Sequence, residues 1–156
     1  MHTARSVTPD DIDLICRHRQ EMFKASGRSD AMVEPMGAPF RAWLAPRLAD
    51  GRYFGWVVEE DGAAIAGVGM MVIDWPPHPS HMTQDFRGYI LNMYVEPAHR
   101  RRGLAKELMR LAEDEGARRG ISYLVLHATT QGKPLYEQMD WKATTEMSLS
   151  LPREKP

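Results

Sequence analysis

A proline, a histidine, three arginines and a glycine crowd the stretch Pro97-Ala98-His99-Arg100-Arg101-Arg102-Gly103. An apolar-periodic run follows at once: Leu104, Ala105, Leu108, Met109, Leu111 and Ala112 mark one face of a helix ending near Gly120. Such a helix starts without Ser, Thr, Asp or Asn as a cap, so its first backbone N–H groups lack a side-chain acceptor. Those amides, the positive end of the helix dipole and the arginines together suit an anion, above all a phosphate. Gly103 has no Cβ to keep a bulky anion off the main chain, and Ala105 is small for the same reason. The same cluster also reads as a solvated charge run or a weak nucleic-acid patch. Other glycines offer less. Gly132-Lys133 is followed by Pro134 and lacks the upstream glycine of a Walker loop, and Gly67-Val68-Gly69 sits inside a strand pattern.

The elements that position these residues follow from period and punctuation. Thr3 to Val7 reads as a strand. Thr8-Pro9-Asp10-Asp11 opens a helix that carries Ile12, Ile15, Met22 and Phe23 and runs to Gly27. Residues 27–38 read as a loop, and Pro39 to Ala49 as a second helix with Phe40, Trp43, Leu44 and Leu48 on one face. Tyr53 to Glu59 and Ala63 to Ile73 form a hairpin around Glu60-Asp61-Gly62. Trp75-Pro76-Pro77-His78-Pro79 breaks the sheet pattern, and Tyr89 to Val95 resumes it. Ser122 to Leu126 is strand-like, Leu135 to Met139 a short helix, and Thr144 to Leu151 a last strand. The expected order is β-α-α-β-β-β-α-β-α-β, a mixed sheet with helices on its faces in one domain spanning 1–156.

Composition narrows the classes. Twenty Lys and Arg against 21 Asp and Glu give a net charge of -1, which argues against wholesale binding to nucleic acid or to a membrane surface. A hydrophobic share of 43% supports a packed core. The one cysteine, Cys16, excludes an internal disulfide and sits among Ile12, Leu14 and Ile15, where packing explains it better than reactivity. No apolar run approaches ~20 residues, and no hydrophobic signal segment opens the chain, so a reduced, cytoplasmic protein is expected. His78 and His81 near Asp74 or Asp85 lack the ligand set of a metal site. Trp43, Trp75 and Phe86 suit either an apolar pocket or the core.

Two segments together carry a resemblance. Asn92 through Ala105 resembles motif A of the GCN5-related N-acetyltransferase family, whose core Gln/Arg-x-x-Gly-x-Gly/Ala is met by Arg100, Gly103 and Ala105. Pro134-Leu135-Tyr136-Glu137-Gln138-Met139-Asp140-Trp141 is similar to the family's Leu-Tyr-Glu-x-Leu-Gly-Phe segment. The resemblance implies a mostly antiparallel sheet of about six to seven strands, an α/β (α+β) fold. It implies acetyl-CoA as co-substrate, no metal, and an amine acceptor that is a small molecule or a peptide. The main chain of Met93, Tyr94 and Val95 would pair with the pantetheine arm as an added strand. The amides of Arg101, Arg102, Gly103, Leu104, Ala105 and Lys106 would cradle the diphosphate, with the arginine side chains, Arg100 included, free for other phosphates. Homodimers occur in the family, and no sequence feature decides the point here. A catalytically silent CoA-binding module is the alternative.

The chemistry implied is attack of an amine on a thioester. An alkyl ammonium of pKa ~10.4 leaves about 1 molecule in 2,500 nucleophilic at pH 7, a deficit of roughly 4.6 kcal/mol. A base is therefore useful, while a thiol of pKa ~8.5 leaves more readily. Tyr136 matches the family tyrosine that acts as general acid, unless it is simply packed with a wet hydroxyl. His127 closes Tyr123-Leu124-Val125-Leu126, where some members place a base, and an imidazole suits that task. It could equally bond a loop carbonyl. Glu146 is a weaker alternative base. A strand amide near Met93 or Tyr94 would polarise the carbonyl. The chain departs from the pattern at three places: Arg101 replaces a common glycine, Thr129 or Thr130 stands nearest to an absent asparagine, and Asp140 replaces a glycine. Asp tolerates positive φ better than most residues if that site demands it. The loops 26–39 and 75–81 lie where this fold admits the acceptor.

Overall fold

The computed structural model describes residues 1–153. Five strands form one sheet in sequence order: β1 (His2–Ser6), β2 (Tyr53–Glu60), β3 (Ala63–Asp74), β4 (Phe86–Val95) and β5 (Leu124–Leu126). The first four pair antiparallel and β5 joins β4 in parallel. Helices α1 (Ile12–Ala25), α2 (Asp30–Val33) and α3 (Gly37–Ala49) lie between β1 and β2. Helix α4 (Leu104–Arg118) links β4 to β5, and α5 (Lys133–Gln138) follows.

Each face of the sheet has its own core. On one, Leu104, Leu108, Met109 and Ala112 of α4 pack on Phe54, Val58, Val68, Met70 and Ile90. On the other, Ile15 of α1 and Phe40, Leu44 and Leu48 of α3 enclose Tyr53, with half-buried Cys16 against them. The 3.6-residue spacing read from the sequence supplies both helix faces. The entry to α1 is pinned by Asp11, whose carboxylate accepts from Arg5 Nη1 and Nη2 at 2.8 and 2.9 Å and from the Thr8 amide at 2.7 Å. Arg5 holds the Asp11 carboxyl below its ordinary range.

Several expectations need correction. Among the described residues the sheet has five strands, not six to seven, and Thr144 to Leu151 forms none. Met147, Leu149 and Leu151 alternate as a strand would, yet all three are exposed. Alternation shows what a segment can do, while pairing needs an edge in reach. The supposed loop 27–38 contains α2 and a 3-10 turn at Glu34–Met36. Pro9–Asp11 is a 3-10 turn that precedes α1 rather than its first turn. β4 starts at Phe86, three residues earlier than its apolar pattern. Among the described residues no helix is long and apolar enough to cross a membrane.

Candidate active site

The opening in the sheet comes from two local facts. β4 and β5 pair only from Gly88 with Leu124 to Ile90 with Leu126. Beyond Ile90, the β4 edge from Leu91 to Val95 has no strand neighbour on that side among the described residues. A bulge widens the gap: Gly67 faces Tyr94 and Gly69 faces Leu91, so Asn92 and Met93 together oppose one residue of β3. Asn92 adopts φ +56 there. Its Nδ2 donates to Tyr53 Oη at 2.9 Å, and its Oδ1 accepts from Arg19 Nη1 at 2.7 Å. Gly69 makes room for Tyr53, since a Cβ there would stand 1.9 Å from Tyr53 Oη.

A cavity of about 1490 Å³ runs through this opening. At one end lies the start of α4. Gly103 holds φ +81, and an added Cβ would find nothing within 4 Å. Arg101 also adopts a left-handed conformation, φ +62. The first backbone N–H here to find an acceptor is that of Glu107, which donates to Gly103 O at 3.0 Å. Among the described residues, the six amides from Arg101 to Lys106 have no hydrogen-bond acceptor. Six consecutive orphan donors at a helix start, beside open space over a glycine, make a cradle of the kind that suits an anion such as a phosphate.

The arginines divide their work. Arg100 Nε donates to Val95 O at 3.0 Å, so that carbonyl is already engaged. Arg102 turns away from the cavity and holds Glu60 through Nη1 at 2.9 Å and Nη2 at 2.6 Å. Arg100, Arg101, Gly103, Leu104, Ala105 and Lys106 line the cavity, as do Met93, Tyr94 and Val95. Leu104 also plugs the core, 1% exposed. Thr129 lines the cavity, and its Oγ1 accepts from the Gly132 amide at 3.0 Å just before α5, which leaves its O–H free to donate.

Midway stand the titratable groups. Tyr136 faces the cavity from α5, and burial pushes its hydroxyl above the ordinary tyrosine range. Its ring rests on Gly132, where a Cβ would meet Cε2 at 3.0 Å. His127 Nε2 lies 2.7 Å from Glu146 Oε2, and Nδ1 is in close contact with the Tyr89 hydroxyl. A carboxylate only accepts, so Nε2 carries the hydrogen, Nδ1 accepts, and Tyr89 donates. Tyr89, His127 and Glu146 thus form a chain from the cavity wall to solvent, with His127 69% exposed. The carboxylate reaches His127 from the unpaired C-terminal segment, not from the strand expected there.

The far end is apolar, walled by Met22, Phe23, Met36, Phe40, Trp43 and Met71. Of the expected acceptor loops, residues 26–39 contribute Ser26, Arg28 and Met36, but nothing from 75–81 reaches the cavity. Of the three aromatics, Trp43 lines it and Trp75 and Phe86 do not. Trp75 stacks instead on the Arg87 guanidinium, whose carbon lies 4.1 Å from the ring centre. His81 is buried with Nε2 facing Arg87 at 2.9 Å, a cation where a metal ion would have to stand. Asp140 does adopt positive φ, +66. Sequence reasoning missed Arg19, Tyr89 and the bulge at Asn92, since each depends on contacts across the fold.

The model of the acetyltransferase (GNAT) family matches residues 14–141. This chain belongs to that family. Its members are acyltransferases, and among solved structures a GCN5-related N-acetyltransferase from Ralstonia eutropha JMP134 is 57% identical, with a TM-score of 0.95 over 97% of this chain and 99% of that one. A predicted acetyltransferase from Clostridium acetobutylicum, solved with acetyl-CoA, is 28% identical with a TM-score of 0.87 over 97% of each chain. An aminoglycoside acetyltransferase from an uncultured soil metagenomic sample shares the fold at 19% identity and a TM-score of 0.68. None of the curated proteins matches the chain significantly. The matched residues include the orphan amides and Tyr136.

Proposed function

We propose that this GNAT protein transfers an acetyl group from acetyl-CoA directly to a primary amine. The observation that carries the reading is the row of six unpartnered amides from Arg101 to Lys106, opening onto the cavity that also holds the free β4 edge and Tyr136. The relative solved with acetyl-CoA supports the same ligand. The fit is physical: the orphan donors need an anion, and the space over Gly103 admits one.

Acetyl-CoA, when bound, supplies the acetyl group as a thioester. The free donors and acceptors of Met93 and Tyr94 hold the pantetheine arm as a strand beside β4. The acceptor ammonium gives up its proton to the Tyr89 hydroxyl as that hydroxyl passes its own to His127 Nδ1. His127, oriented by Glu146, holds the charge and returns the proton to solvent. Tyr136, a phenol protonated at neutral pH, gives its proton to the sulfur as the C–S bond breaks and regains one from the newly acylated nitrogen. Thiol release from acetyl-CoA with a panel of amines, run beside calorimetry with CoA, tests this. Binding with amine-dependent thiol release is expected. Absence of heat with CoA removes the diphosphate reading, and binding without turnover leaves a silent CoA-binding module.

A further inference from the structure

The cavity contains no carboxylate side chain among the described residues, yet it displays Arg19, Arg28, Arg100, Arg101 and Lys106. Three of these cations stand at the diphosphate end. Arg19 does not. It projects from α1 into the apolar end, beside the β4 bulge. Its guanidinium carbon lies 5.0 Å from the Phe23 ring centre and 4.6 Å from that of Phe40, so aromatic faces cover the group. Nη1 is spent on Asn92, while Nε is buried and has no partner. Among the described residues no acidic side chain pairs with it. Burial lowers its pKa, and the Tyr53 and Tyr89 hydroxyls are the acidic groups nearest in its field. A desolvated guanidinium with stacked faces and an unused donor is costly to maintain without an anion.

We infer that the acceptor is an amine that carries a carboxylate on an apolar body, an amino acid of the methionine or phenylalanine kind, with Arg19 as the residue that reads the carboxylate. This rests on the acetyl-transfer reading above and deepens it. Guanidinium N–H groups bind carboxylates through charge-assisted hydrogen bonds, and among the described residues Arg19 Nη2 has no partner and is not buried. Met22, Met36, Trp43 and Met71 surround an apolar side chain at the same end. Tyr89 lines the same cavity as Arg19, and its hydroxyl lies in the field of that guanidinium, as an ammonium and a carboxylate held on one carbon require. Polycationic acceptors such as aminoglycosides meet two arginines and no acid here, so the likeness to aminoglycoside enzymes ends with the fold.

The test compares kcat/KM for L-methionine and L-phenylalanine with their primary amides and with spermidine, by thiol release. The amides have the more acidic ammonium, so intrinsic reactivity favours them and any preference for the acids comes from the site. We expect the acids to win by roughly 10- to 100-fold, chiefly through KM. Arg19→Met should remove that preference, lowering kcat/KM for the acids far more than for the amides, and Arg19→Lys should restore part of it. Preference for amides or spermidine in the wild type overturns the inference and leaves acetyl transfer intact. If no amine releases thiol although CoA binds, the catalytic reading fails. Calorimetry of the CoA-loaded protein with N-acetyl-methionine against its amide then decides the Arg19 inference, and equal binding overturns it.

Discussion

Replacing Gly103 by alanine separates backbone strain from ligand binding. Gly103 sits at φ +81 with open space where a Cβ would go, so the change meets no clash in the free protein. Its cost is conformational, about 1–2 kcal/mol for an L-residue held left-handed, less a few tenths regained from the stiffer unfolded chain. A loss near 1 kcal/mol lowers Tm by about 2–4 °C in a chain of this size. Gly62, in the β2–β3 turn, has φ +79 and equally open space, but lies outside the cavity. Gly62→Ala therefore serves as a matched control for strain. In the ligand-bound state the two diverge. With the diphosphate placed as proposed, the new methyl at Gly103 would stand between it and the Arg101–Lys106 amides. Displacing one such charge-assisted contact costs about 1.5–3 kcal/mol, a rise in Kd of roughly 10- to 100-fold. Thermal melts and calorimetry with CoA on the two variants measure both quantities. Equal falls in Tm together with wild-type CoA affinity for Gly103→Ala would refute the placement of the diphosphate.

Tyr136→Phe should reduce kcat about 100-fold while CoA affinity holds, and turnover equal to wild type across pH 6 to 9 removes Tyr136 as the acid. His127→Ala and Glu146→Gln should both blunt the ascending limb of the pH–rate profile, and an unchanged limb in both would dismiss the Tyr89–His127–Glu146 chain. His18 is buried on α1, packed on Tyr94, with its Nε2 3.5 Å from Glu96, too long for a good hydrogen bond. Burial is the main reason its pKa falls to about 4. The unfolded chain then binds more protons below pH ~6.5, so stability drops as pH falls from there towards 4. Wild type should lose Tm over that window faster than His18→Gln, and parallel curves would contradict a buried neutral histidine. Gly69→Ala drives a Cβ to 1.9 Å from the buried Tyr53 hydroxyl and should cost about 3 kcal/mol or more. A loss below ~1 kcal/mol in urea unfolding would mean that Tyr53 swings aside.

Local rules made much of the chain legible. The period of Leu104, Leu108 and Ala112, the capless start at Gly103 and the hairpin around Asp61-Gly62 are each decided within a few neighbouring residues, where sterics and helix geometry act directly. Most of the helices and strands followed from those signals, although α2 lay in an expected loop and Thr144 to Leu151 forms no strand. The unpartnered amides that open α4 were legible in the same way. The acceptor end was not, because Arg19 and Asn92 are 73 residues apart in sequence and meet only after β4 bulges against β3. Thr144 to Leu151 shows the converse. Its alternating residues carry a strand pattern, but whether a strand finds an edge is settled by the rest of the sheet. Residue types and spacing determined where unpartnered amides would open a helix, while long-range packing alone decided which side chains face the cavity, since burial and pairing are properties of the whole fold.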